Sequence, residues 1–294
     1  MSMPAVRTLA LIGVGLIGGS WVLGLREAGL VRGEVVGCGR SMSNLKTALE
    51  RGIIDSATTD PRVAVQGADL VVVAVPLGAV GPVLGTIRDH LAGDAVITDV
   101  GSAKGRVMAD AAEALTHRYS RFVPGHPIAG NEKSGAGAAF PELFRQRRVI
   151  LTPAEETDAD ALERVTQLWT AVGASVTHMT AAHHDDVLAA TSHLPHMLAY
   201  SLVDTLSRWS DRDEVFAYAA GGFRDFTRIA SSDPGMWRDI CIANREALLV
   251  ALERYMSDLA ALHETIQAGD GARLEAVFRH ARDARNRFLT MLES

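Results

Sequence analysis

Two groups of residues in this chain could do chemistry together. His126 stands in the frame Pro124-Gly125-His126-Pro127, which restricts the backbone around one imidazole, and Gly13-Val14-Gly15-Leu16-Ile17-Gly18 has the spacing of a dinucleotide-binding turn. A neutral imidazole accepts a hydroxyl proton near pH 7 while a nicotinamide takes hydride from the same carbon, so the pair points to oxidation of an alcohol. In the fingerprint, Gly13 permits the strand-to-helix turn, Gly15 lets the backbone approach a pyrophosphate, and Gly18 lets the helix pack on the strand. Leu16 and Ile17 open the helix whose N-terminus would face the anion. Val75 and Pro76 close an apolar run beginning at Leu70 and are counted with the cofactor site.

Other candidates have two readings each. Where an Asp or Glu for the ribose 2′-hydroxyl usually ends the second strand, this chain has Cys38-Gly39-Arg40-Ser41. Arg40 and Ser41 suit a 2′-phosphate, which favours NADP over NAD; the competing reading is a solvated Arg40 that binds nothing. Ser102, in Asp99-Val100-Gly101-Ser102-Ala103-Lys104-Gly105, follows a strand and is a ligand contact, a helix N-cap, or both. Glu132 and Ser134, downstream of His126, are pocket groups or turn residues. His193 and His196 lie nearly one helical turn apart, yet no ligand pattern such as HExxH accompanies them, and no metal is expected. Gly221 to Arg228 is read as a loop presenting Arg224 and Arg228 to a carboxylate, with Asp225 orienting one of them or forming a local salt bridge. Asp233 before Pro234 marks a helix start.

The elements that must position these residues follow from the apolar pattern. Val6–Ile12, then a helical segment to Ala28, then 34–38 form a βαβ unit. Lys46 to Glu50, Ala79 to His90 and Gly105 to Leu115 read as helices between strands at 70–75, 95–98, 121–123, 148–151 and 175–179. The fold class expected is therefore α/β, an N-terminal Rossmann-type doubly wound, mainly parallel sheet followed by an all-α C-terminal domain. The boundary is placed at 1–179 for the dinucleotide-binding domain and 180–294 for a helical substrate and dimerisation domain. Leu248, Leu252, Tyr255, Leu259, Leu262 and Ile266 share one helical face, and Leu274, Val277, Phe278, Ala281, Phe288 and Leu292 another. These stripes pack inside a bundle or across a homodimer.

Composition narrows the partners. With 294 residues, 48% of them hydrophobic, the chain has material for two domains. Its net charge of −6 argues against nucleic acid and anionic membrane surfaces. The apolar stretch Thr8 to Leu25 is broken by Gly13, Gly15, Gly18 and Gly19 and lacks a cleavage site, so it is neither a signal peptide nor a membrane span. Cys38 and Cys241 are far apart without metal spacing, which fits a reducing compartment, and a cytoplasmic location is expected.

Taken in order, GVGLIGGS, DVGSAKG, GHPIAGNEKSG, SHLPHML and GFRDFTRIASSDPGMWRDI closely resemble the prephenate and arogenate dehydrogenases of tyrosine biosynthesis, over essentially the whole chain. The resemblance implies oxidative decarboxylation of prephenate or arogenate to 4-hydroxyphenylpyruvate or tyrosine and carbon dioxide, driven by aromatisation. It implies that His126 accepts a hydrogen bond from the 4-hydroxyl and that Arg228 binds a substrate carboxylate, with Ser102 completing the catalytic set. Glu132, His193, His196 and Asp225 fall on substrate-pocket positions, and Trp237 also matches. With Ser294 as the last residue, no appended mutase or regulatory domain is expected. A 3-hydroxyacid-type dehydrogenase and a non-catalytic dinucleotide sensor are the rival readings; the first would lack the GHPIAG and FRDFTRIA segments.

Overall fold

A computed structural model describes residues 5–130 and 133–293. Its central sheet has six parallel strands in the order β3-β2-β1-β4-β5-β6. These are β1 (Val6–Ile12), β2 (Val31–Cys38), β3 (Ser56–Thr58), β4 (Leu70–Val73), β5 (Val96–Asp99) and β6 (Phe122–Val123). The chain reverses its direction of winding between β1 and β4, and a ligand crevice opens at such a switch point, beyond the carboxyl ends of the strands.

Alternation along the strands builds two cores. Leu9, Leu11, Leu70 and Val72 face one side, with Trp21, Leu25, Leu45 and Trp169 packed over them. Ala10, Ile12, Val71 and Val73 face the other, under Leu84, Val107 and Trp237. Strand β4 is Leu-Val-Val-Val and wholly buried, as a central parallel strand covered on both faces should be. The helices over the first face are α1 (Leu16–Glu27), α2 (Met42–Glu50) and, later in the chain, α6 (Ala159–Ala171); Trp21 of α1 stacks on Trp169 of α6 at 4.0 Å. The short α3 (Pro61–Ala64), α4 (Leu77–Ile87) and α5 (Lys104–Leu115) cover the second.

Three features differ from expectation. The strands after β6 do not extend the main sheet. Instead β7 (Gly125–Pro127), β8 (Arg148–Leu151) and β9 (Ser175–His178) form a separate three-stranded sheet in which β7 runs antiparallel to β8. His126 thus sits on a strand, opposite Ile150. Next, α6, α3 and β3 lie in stretches to which the apolar pattern assigned nothing. Finally, Gly221 to Arg228 is not a loop: it forms α10 (Gly221–Thr227) and runs into a 3₁₀ turn at Arg228–Ser231.

Beyond residue 180 the chain is helical. Helix α7 (Ala181–Leu188) continues through a π-helical turn at Ala189–His193 into α8 (Leu194–Ser207), followed by α9 (Arg212–Ala217), α10 and α11 (Pro234–Ala243). Pro195 has no N–H for the helical ladder, and a widened turn just before it is where such an interruption is absorbed. Asp233 caps α11, its Oδ1 accepting from Met236 N at 2.7 Å, as the sequence predicts.

By compactness the chain divides into 1–245 and 246–294. The reason is local: Trp237 and Ile240 of α11 are buried in the second core beside α4 and α5, so the first helices of the C-terminal half fold onto the sheet. The second unit carries α12 (Arg245–Gln267) and α13 (Gly271–Glu293), separated by Gly269 at φ 66° and Asp270, which caps α13 through Arg273 N. Tyr255, Leu259 and Ile266 on α12, and Val277, Phe278 and Phe288 on α13, are exposed, whereas Leu248 is buried. The Leu292 side chain lies outside the described part. Among the described residues no helix is long and apolar enough to cross a membrane.

Candidate active site

The fingerprint glycines have separate steric reasons. Gly13 holds φ 94°, and a Cβ there would collide with the Ala74 carbonyl just past β4. A Cβ on Gly18 would stand 2.7 Å from Leu11 Cδ1, so helix and strand could not approach as they do. Gly15 is different: a Cβ there would meet no protein atom within 4 Å, and Gly15 is the N-cap of α1 with no side chain bonded to that end of the helix. An open glycine at an uncapped helix N-terminus fits the pyrophosphate of a dinucleotide, since backbone N–H groups are left to bind an anion. Leu16 and Gly18 are buried in the first turn of α1, with Ile17 half-buried between them. Val75 and Pro76 lead from β4 into α4, and Val75 N is also within reach of a Cβ on Gly13.

At the end of β2, Arg40 is exposed and Ser41 caps α2, accepting from Asn44 N at 3.3 Å. Asn44 in turn donates to Val14 O at 2.6 Å and accepts from Ala136 N at 2.8 Å, which ties this turn to the fingerprint. Cys38 is buried beside them, and burial, with help from Asp60, pushes its thiol up to about 11, so it stays protonated.

His126 is half-buried on β7, and its Nδ1 lies 2.9 Å from His184 Nε2. His184, fully buried on α7, has its Nδ1 2.7 Å from Asp185 Oδ1. The Asp185 carboxylate also accepts from Lys104 N and Gly105 N, both at 2.8 Å. Those are the first amides of α5, so this helix is capped by a residue eighty-one positions away. Ala103 is the N-cap position, and the Ser102 hydroxyl makes no cap bond. Ser102 is half-buried in the β5–α5 turn at the ligand edge of the sheet.

Beneath this row lies a buried ion pair. Lys104 Nζ donates to Asp99 Oδ2 at 2.5 Å and to Gly125 O at 2.6 Å, while Asp99 accepts from Gly101 N and Gly125 N. The backbone on the N-terminal side of His126 is thereby fixed by side chains from β5 and α5. Burial pulls His126 well below the ordinary imidazole value, reinforced by nearby His184, Lys104 and His193, so His126 is neutral at pH 7. Burial alone would raise Asp185, but bonds from His184, Lys104 N and Gly105 N outweigh it and hold the carboxyl below its usual range.

The other two predicted histidines come from the π-helical turn and the start of α8. His193 is buried, and burial lowers it to about 4 even though Asp185 opposes the shift. Asn244 Nδ2 donates to Asp185 O at 2.8 Å and to His193 Nδ1 at 3.0 Å, which places the proton of neutral His193 on Nε2. His196 Nδ1 donates to Ser192 O at 2.8 Å, and its ring stacks on Trp237 at 3.7 Å. The 3₁₀ turn that Arg228 opens packs on α8, which carries His196; burial lowers His196, and the positive charge of Arg228 lowers it further despite the Ser192 bond.

The structure therefore groups His126, His193, His196, Trp237 and Arg228 in one neighbourhood. It leaves Asp225 on the surface, 3.9 Å from Arg224 in an exposed pair, and Glu132 lies outside the described residues. His184, Asp185, Lys104 and Asn244 are site residues that the sequence reading missed. For His184 and Asp185 the signal was the run His183-His184-Asp185-Asp186, unusually rich in titratable groups for the start of a helix.

Comparison with known proteins bears on the family of the chain. Residues 23–178 match the family model described as prephenate dehydrogenase, nucleotide-binding domain, and residues 180–280 that described as prephenate dehydrogenase, dimerization domain. A cyclohexadienyl dehydrogenase of Zymomonas mobilis is 37% identical over 286 residues, 96% of each chain. A prephenate dehydrogenase of Bacillus subtilis is 35% identical, covering 95% of this chain and 75% of its own. Among solved structures, the prephenate dehydrogenase of A. aeolicus, in complex with hydroxyphenyl propionate and NAD+, superimposes with a TM-score of 0.90 at 36% identity, covering 98% of this chain and 99% of that one. With both family models matched in order and relatives of this identity aligned nearly end to end, the chain belongs to the prephenate dehydrogenase family.

Proposed function

We propose that this protein catalyses the oxidative decarboxylation of prephenate, or of its amino counterpart arogenate, in tyrosine biosynthesis. The observation that carries the reading is the neutral His126, held through Nδ1 at the carboxyl edge of a sheet that bears an open dinucleotide fingerprint. Gly13, Gly15, Leu16, Ile17 and Gly18 would hold the dinucleotide, with Val75 and Pro76 beside them. When bound, the nicotinamide supplies an acceptor for the hydride of C4. His126 accepts the hydrogen bond of the C4 hydroxyl and draws on that proton as the hydride departs, returning it to the phenolic oxygen of the aromatic product. Arg228 pairs with a substrate carboxylate, His193 and His196 line the same pocket, and Ser102 lies at the junction with the cofactor.

The cofactor is NADP in preference to NAD, because an exposed Arg40 and the hydroxyl of Ser41 stand where an acid would repel a 2′-phosphate. The chain acts as a homodimer through the exposed apolar faces of α12 and α13, in line with the dimerization-domain match.

The test is reduced-nicotinamide formation by the purified protein, with prephenate and arogenate each offered with NADP and NAD. Turnover with prephenate and NADP preferred supports the whole reading, and an NAD preference discards the argument from Arg40. Turnover with arogenate alone moves the substrate to the amino form. Lack of turnover with all four pairs rejects the enzyme and leaves a dinucleotide sensor.

A further inference from the structure

We infer that Asp185 and His184 are positioning residues that hold His126 in the Nδ1–H tautomer, leaving Nε2 as the acceptor toward the reacting hydroxyl. This rests on the function proposed above and adds two residues to its machinery. The argument starts at the end of α5. Asp185 accepts two backbone N–H bonds there, one on each carboxylate oxygen, and at a helix N-terminus negative charge is favoured. An ionised Oδ1 can only accept, so His184 donates from Nδ1. In the neutral ring His184 Nε2 is then a lone pair, and the 2.9 Å bond to His126 needs a proton from His126 Nδ1. The opposite arrangement would turn the His184 Nδ1 lone pair against the carboxylate.

The same row offsets charge. When the hydroxyl proton shifts onto His126 Nε2, the O–H bond breaks, the N–H bond forms, and the ring becomes positive; Asp185 lies in line behind His184 to favour that charge. Lys104 opposes it from α5, but Lys104 is already engaged by Asp99. Besides these, His193 from the π-helical turn bears on His126, and it is neutral. In hydrolases that orient an imidazole with a buried aspartate, changing the acid to its amide leaves the geometry but reverses the tautomer, and kcat drops roughly 10⁴-fold.

Two measurements on the full chain test the inference. Long-range ¹H–¹⁵N spectra of the wild type with NADP+ bound, at pH 8, report the His126 tautomer without any turnover; Nδ1–H is expected, and Nε2–H overturns the inference. Asp185→Asn should place the proton on His126 Nε2 and lower kcat at least a hundredfold, with KM and NADP+ affinity within threefold of wild type. If that variant fails to fold, a second pair carries the test. His184→Gln, whose amide can accept from His126 and donate to Asp185, should keep kcat within about tenfold, whereas His184→Leu should lose a hundredfold. Wild-type kcat in Asp185→Asn or His184→Leu overturns the inference. A wild type with the expected tautomer and no turnover of prephenate or arogenate would instead reject the proposed reaction.

Discussion

A histidine can accept a proton at neutral pH only if its surroundings keep it uncharged, and here the burial of His126 does so. His126→Asn should lower kcat by roughly 10²- to 10⁴-fold while the dinucleotide dissociation constant stays near wild type. The pH profile of the wild type should be flat around neutrality, with its acid limb below the ordinary imidazole value of about 6.5, because only the neutral ring accepts. An acid limb above pH 7 would contradict the assignment. His193 gives a separate stability test. Its folded value of about 4 lies below the unfolded one, so between the two the unfolded chain binds more protons and stability falls as pH falls. From pH 7 to pH 5 this group should cost about 2 kcal/mol, and urea titrations of His193→Gln should show that much less loss over the same interval. His126 was legible in the sequence because proline and glycine frame it. His184 and Asp185 were not, since their partners lie 58 and 81 positions away and only the fold closes those distances.

The glycines of the first βαβ unit separate folding from binding at the level of the element. Gly13→Ala would force a Cβ into Ala74 at a positive φ, and should cost on the order of 1–3 kcal/mol of stability, read as a lowered Tm. Gly15→Ala meets no protein atom and has extended backbone at φ −123°, so its stability should match wild type within about 0.5 kcal/mol while dinucleotide affinity falls at least tenfold. Unchanged affinity in Gly15→Ala would remove the pyrophosphate from this turn. The six parallel strands were mostly readable as apolar runs, because buried parallel strands need little else. β7 was not, being only Gly125-His126-Pro127, with an antiparallel partner. Helix α10 opens on Gly221-Gly222, poor helix formers that mimic a loop signal, and so its arginines were assigned to a loop.

At the scale of the whole molecule, the stripes on α12 and α13 were visible as helical periodicity, but periodicity does not say whether a face is covered from within or by a second copy. Exposure of Leu259 and Phe278, 51% and 58%, favours the second copy. Sedimentation should give a dimer for the wild type and a monomer for Leu259→Glu combined with Phe278→Glu; an unchanged dimer would move the interface elsewhere. The seat of Asp185 on α5 bears on time as well as on geometry. The opening amides of a helix lack partners within it and trade hydrogen with solvent almost freely. Lys104 N and Gly105 N are held by a carboxylate from α7 instead, so they should exchange only when α7 lifts away from α5. In deuterium oxide these two amides become a clock for that opening, and a rate as fast as an unprotected peptide's would show that α7 and α5 part continually.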